Sequence, residues 1–226
     1  MFPYLLLAIE GHEAPSDHSP GEARVARINP GATLTPHFRE FLPAWIAGQP
    51  WYGGAGFPLL TPVGYFRMED PAGAVGIETH LLSDESALYQ LPMTYRDAPL
   101  DGAEEALITT ARHSVLGKRW IYDGPGDPVW AEQLLRLVHT GGVSADGGRR
   151  GVGPAEARGH QPGSAVTLTL DSVIIDLTRV LTPGNRDPAP GTVGLVTGTW
   201  YPNGPDAAAE AGCLAAVRSR IPGPST

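Results

Sequence analysis

Between Leu91 and Val129 turn-forming residues recur so often that only short strands and short helices fit between them. Leu91-Pro-Met-Thr-Tyr-Arg-Asp-Ala-Pro-Leu-Asp-Gly102 reads as a strand running into a turn, and Asp101-Gly102 breaks the chain before a short helix over Ala103–Thr109. His113–Tyr122 returns as a strand, which Asp123-Gly124 turns. Asp127 then stands as the N-cap of an amphipathic helix with Pro128 in its first turn. Trp130, Leu134, Leu135, Leu137 and Val138 form its apolar side, and Gly141 stops it.

The flanks obey the same local rules. Thr35 reads as an N-cap and Pro36 as the first residue of a helix whose apolar positions are Phe38, Phe41, Leu42, Trp45 and Ile46. Pro43 lies inside that pattern and predicts a kink or a break into two short helices; Gly48 ends it. After the aromatic–glycine turn Trp51–Gly56, three strands follow as a meander over Gly64–Met68, Val75–Leu82 and Leu88–Thr94. In the second of them Val75, Ile77 and Thr79 alternate with Gly76, Glu78 and His80, as a half-buried strand requires.

These patterns divide the chain into a disordered arm (1–34), a segment of short helices and antiparallel strands (35–140), a Gly/Pro/Arg-rich linker (141–164) and a β-rich segment (165–222). Strands in the last are expected at Ala165–Leu170, Val173–Leu181, Val193–Tyr201 and Cys213–Val217, with a bulge or tight turn at Asp171-Ser172. They complete the first sheet or flank it; the pattern does not choose. The arm opens on an apolar stretch without a positive n-region or a cleavage site, so it is not read as a signal peptide. A translation start near Val25 is the expectation, to be checked by mass spectrometry of the native N-terminus.

Charge and composition narrow the class of function. Lysine and arginine number 16 against 24 acids, a net charge of −8, and no basic cluster beyond Arg149-Arg150 exists, which argues against nucleic acid as a partner. No stretch approaches the ~20 apolar residues of a membrane-spanning helix, so no membrane is expected. Cys213 is the single cysteine, forms no intramolecular disulfide, and makes a reducing cytoplasm the default location.

Catalytic patterns fail one by one. The Gly-x-x-x-x-Gly-Lys-Ser/Thr phosphate loop does not occur, and no histidine has Asp two residues later as in the catalytic loop of kinase-like folds. Gly-x-Ser-x-Gly does not occur either. The glycines of Gly53-Gly-Ala-Gly56 follow a helix rather than a strand, the wrong context for a dinucleotide cradle. Glu10, His12, Glu13, Asp17 and His18 cluster in the arm, where nothing fixes them as metal ligands. Asp70, Asp123 and Asp127 sit at turn or cap positions and, with Glu78, are carboxylates of the type a glycosidase needs without its geometry. No catalytic residue, metal or cofactor is assigned. The best binding candidates are aromatic: Trp51, Tyr95 and Trp120 as stacking faces for a sugar, with Arg96, Arg119 and Asp123 as hydrogen-bonding partners. Packing in the core is the competing role for such residues.

Four runs carry a resemblance to a known family. Phe41-Leu-Pro-Ala-Trp45, Gln49-Pro-Trp-Tyr-Gly53, Tyr95-Arg-Asp-Ala-Pro-Leu-Asp-Gly-Ala-Glu104 and Val115-Leu-Gly-Lys-Arg-Trp-Ile-Tyr-Asp123 resemble the N-terminal cap domain of the actinobacterial maltokinases and its small stand-alone relatives, over residues 35–140. The resemblance implies an α+β fold, a curved antiparallel sheet packed by short helices. It also implies a place in maltose, trehalose and α-glucan (glycogen) metabolism. The family's catalytic and nucleotide-binding residues lie downstream of the cap, so none transfers to this chain. The resulting expectation is a non-catalytic accessory or regulatory protein. Its partner would be a carbohydrate-metabolism enzyme or a kinase; the alternative is a binding module for maltose or maltodextrin, and a small sugar kinase or glucan-branching-type transferase ranks last.

Overall fold

The computed structural model describes residues 31–146, 153–162, 167–184, 190–204 and 206–220; the arm before residue 31, with its start site and its Glu/His cluster, lies outside them. In chain order the elements are β1 (Leu34–Thr35), α1 (Phe38–Ala47), β2 (Thr61–Met68), β3 (Gly76–Ser83), β4 (Leu88–Arg96), β5 (Leu107–His113), β6 (Gly117–Asp123) and α2 (Pro128–Thr140). There follow β7 (Ala145–Asp146), β8 (Gly153–Pro154), β9 (Glu156–His160), β10 (Val173–Leu177), β11 (Val180–Leu181), β12 (Thr192–Trp200) and β13 (Glu210–Ser219). The fold is α+β, a curled antiparallel sheet with two helices, as the resemblance implies.

That main sheet has the order β1-β5-β6-β4-β3-β2-β7, with β11 also on β4 and β8 on β2 in a short parallel pairing. A second sheet, β10-β13-β12-β9, is antiparallel throughout. Period-two alternation splits the main sheet into two buried faces. Leu82, Tyr89, Leu91, Met93, Ala111 and Ile121 point to the side where Phe38, Leu42 and Ile46 of α1 pack. Val63, Phe66, Met68, Ile77 and Leu81 point to the opposite side, against α2 and the second sheet. With both faces covered, polar residues of the central strands are buried too, among them Thr79, Gln90 and Thr94.

Local chemistry explains the helices. At α1 the N-cap is His37, not Thr35: its Nδ1 accepts from the Arg39 amide at 3.3 Å, while Glu40 Oε1 accepts from the His37 amide at 2.7 Å. Thr35 instead lies in β1 on β5, and the Thr35–Pro36 peptide is cis. Pro43 does not divide the helix, which runs through Ala47 and is capped at Gly48. At α2 Asp127 is the N-cap, accepting from the Val129 amide at 2.9 Å, and Gly141 closes the helix at φ 61°.

Two other segments depart from the sequence reading. Ala103–Thr109 is a 3₁₀ turn at Glu104–Ala106 followed by β5, because Ile108 and Ala111 serve a strand that pairs with β6. Within the expected linker 141–164, β9 forms an edge of the second sheet beneath α2. Its Gly159 lies so close to the helix that a Cβ there would come within 2.0 Å of the Leu137 carbonyl oxygen. Glycine is the residue this crossing admits. The expected strand Val173–Leu181 is two strands in different sheets, β10 in the second and β11 in the first. The β-rich segment therefore both flanks the first sheet and completes it. A turn does occupy 170–172.

Candidate functional site

The six candidate residues do not converge. Register places Arg96 opposite Trp120 and Tyr95 opposite Ile121, so Arg96 and Trp120 share the α2-side face while Tyr95, Arg119 and Asp123 share the α1-side face. Trp51 lies on the α1 side as well, packed with its ring centroid 6.0 Å from Trp45 and 5.9 Å from Tyr89. Tyr95 also packs on this cluster, and Arg119 is held by the Leu116 carbonyl at 2.7 Å. The sheet itself separates the two groups.

Most of the polar members are engaged in structure. The Arg96 guanidinium donates from Nε to Asp127 Oδ2 and from Nη2 to Oδ1, both at 2.7 Å, and ties the end of β4 to the start of α2. Burial would raise the Asp127 carboxyl, but the Arg96 hydrogen bonds, the Thr94 hydroxyl and the Val129 amide together hold it below its ordinary value. Asp70 accepts from the amides of Ala72, Ala74 and Val75 at 2.9–3.0 Å and forms the β2–β3 turn. Tyr122 accepts from the Leu100 amide at 2.8 Å.

Asp123 has a different partner, Arg179, 56 residues away. Arg179 precedes β11, which pairs with Tyr89 and Leu88 of β4 just beyond the stretch of β4 that pairs with β6. The guanidinium donates to Asp123 Oδ2 and lies 5.4 Å from the centroid of the Trp51 ring, a cation–π contact. The Arg179 carbonyl accepts from the Gln90 amide at 2.9 Å, and Gln90 Nε2 donates to the Leu214 carbonyl at 3.0 Å. Asp123 Oδ1 and Arg179 Nη1 are buried and, among the described residues, have no hydrogen-bond partner. Burial pushes the Asp123 carboxyl above its ordinary value, against the opposing pull of Arg179.

Arg179 is the residue the sequence reading missed. One signal was present, a single arginine near the end of the largely apolar run Val173–Leu181, which also holds Asp176 and Thr178; nothing local pairs it with Asp123. Between α2 and the two sheets lies a cavity of about 20 Å³ lined by Phe66, Gln90, Trp130 and Leu214 among others. That is room for about one water, too little for a sugar.

The β5–β6 hairpin is the most exposed part of this region. Ser114–Leu116 form its loop, Gly117 takes the left-handed conformation at φ 78°, and His113 Nδ1 accepts from the amides of Val115 and Leu116 at 3.2 and 3.1 Å. Lys118 Nζ lies 4.4 Å from the Trp120 ring centroid. In comparison with known families, residues 45–127 match the maltokinase N-terminal cap domain, a span that contains both Arg96 and Asp127 and ends on the latter. Arg179 and the second sheet lie outside it.

Proposed function

We propose, from the match of residues 45–127 to the maltokinase N-terminal cap domain, that this protein is a non-catalytic accessory or regulatory partner in maltose and trehalose metabolism, extending to α-glucan (glycogen) turnover. The match supports association with that metabolism. The accessory role is our reading, and the observation that carries it is the use of the segment's polar residues. Arg96, Asp70, Asp123 and Asp127 each stabilise a turn, a helix start or a seam, so they serve the fold first. Among the described residues no helix is long and apolar enough to cross a membrane, and the lone Cys213 agrees with a cytoplasmic setting. The test is affinity capture from a native lysate with the full chain as bait. Recovery of a carbohydrate-metabolism enzyme or kinase supports the reading, and recovery of neither counts against it.

Trp120 favours a second reading. Its half-buried ring lies on the α2-side face beside exposed polar groups, an arrangement compatible with a sugar platform for maltose or maltodextrin. Titration of both sugars against tryptophan fluorescence tests it, and a flat response removes it.

A further inference from the structure

We propose that the α2-side face and tip of the β5–β6 hairpin form a docking surface for an acidic protein; the proposal rests on the accessory reading above and names its contact surface. From Leu107 to Tyr122 the chain carries Arg112, His113, Lys118 and Arg119 and no Asp or Glu, within a protein of net charge −8; of these, Arg112 and Lys118 alternate onto the α2-side face. Arg112 and Lys118 are directly opposite across the two strands and both are exposed. Like charges at directly opposed positions destabilise a hairpin, and among the described residues neither has a carboxylate partner. The fold therefore holds two cations together that it does not neutralise. An acidic partner surface would relieve that repulsion.

The neighbouring side chains indicate a protein partner. Lys118 lies over the half-buried ring of Trp120, so an aromatic side chain backs the cation on this face. At the tip Val115 and Leu116 remain 63% and 50% exposed. A tryptophan and an arginine beside apolar side chains are the usual anchors of protein interfaces, with charge setting partner choice and approach. Phe57 and Leu59 are more exposed still, yet no charged residue lies between Trp45 and Leu60 to specify what would cover them.

The test compares capture from native lysate by the full wild-type chain, Arg112→Glu, and Val115→Ser/Leu116→Ser, washed at low salt and at roughly 0.3 M salt, where exposed charges are strongly screened. Arg112→Glu keeps the Lys118–Trp120 contact and places opposite charges across the strands, so its melting temperature should equal or exceed that of wild type. Its capture of the partner should fall at least tenfold, as should wild-type capture at high salt, and the tip variant should also lose capture. Equal retention by Arg112→Glu overturns the surface. So does capture abolished by nuclease or by maltodextrin, or a wild-type dimer in size-exclusion chromatography that Arg112→Glu converts to monomer. A carbohydrate enzyme retained equally by both chains leaves the accessory reading standing and removes this surface. An acidic protein of unrelated metabolism, lost with Arg112→Glu, keeps the surface and removes that reading. No specific protein on the wild-type bait removes both.

Discussion

Two of this molecule's arginine–carboxylate pairs, Arg96–Asp127 and Arg179–Asp123, behave in opposite ways. Arg96–Asp127 lies wholly within the segment that matches the cap family, whereas Arg179–Asp123 joins that segment to the C-terminal strands. In the first, both carboxylate oxygens are used: Oδ2 by Arg96, Oδ1 by Arg96 and by the Val129 amide. In the second, Arg179 reaches Oδ2 while Oδ1 stays buried without a hydrogen-bond partner among the described residues. The carboxyl of Asp127 is accordingly held below its ordinary value and that of Asp123 is pushed above it. Burial raises both; at Asp127 the hydrogen bonds outweigh it, and at Asp123 they do not. One pair serves a helix start, the other a seam between two parts of the chain.

The comparison breaks most visibly at Asp127. Asp127→Ala removes an N-cap, worth about 1 kcal/mol, and strands Arg96, and breaking a buried pair costs about 3–5 kcal/mol. Because the Arg96 side chain is 20% exposed and can turn toward water, we expect a loss of about 3 kcal/mol, measured by urea denaturation. Arg179→Ala should cost less, about 2 kcal/mol, since Asp123 is 16% exposed and already incompletely paired. Its effect should be local: the amides of Val180 and Leu181 should exchange faster with solvent than those of α2. Adding Asp123→Asn to Arg179→Ala should restore about 1 kcal/mol by removing the unpaired charge. A double variant no more stable than Arg179→Ala would show that the pair is not coupled across the seam.

The difference between the two pairs also marks what a sequence can disclose. Asp127 was legible because an N-cap is local: Asp, then Pro, then an apolar face at helical spacing. The strands of the meander were legible from alternation, and Gly141 from its place after the last apolar turn. Thr35-Pro36 misled because the same two residues suit an N-cap and an extended strand; pairing of β1 with β5, about 80 residues away, decided the matter. Ala103–Thr109 misled because a strand entering a hairpin and a short helix begin with the same turn residues, and the β5–β6 ladder prevailed. Asp123–Arg179 was beyond local reading altogether, since β11 must first pair with β4 before the two groups meet. For the same reason the six aromatic and charged candidates appeared as one set in sequence, though β4 and β6 distribute them to opposite faces.

The smallest effect is the most discriminating, because it depends on sign rather than size. Asp127, with its folded-state value below the ordinary 3.8, contributes stability that is complete above that value and is lost as pH falls through the folded-state value. The advantage of wild type over Asp127→Asn should therefore hold from pH 7 to about 4 and shrink below it. Asp123 has its folded-state value above 3.8, so its ionisation is a cost to the native state that disappears on protonation. Relative to Asp123→Asn, wild type should gain stability as pH falls through that raised value, with the gain complete below 3.8. Urea denaturation of the three proteins between pH 3.5 and about 7 measures both slopes. Opposite signs would show that the hydrogen bonds to Asp127 outweigh its burial while those to Asp123 do not; parallel slopes would mean that Arg179 satisfies Asp123 as fully as Arg96 satisfies Asp127.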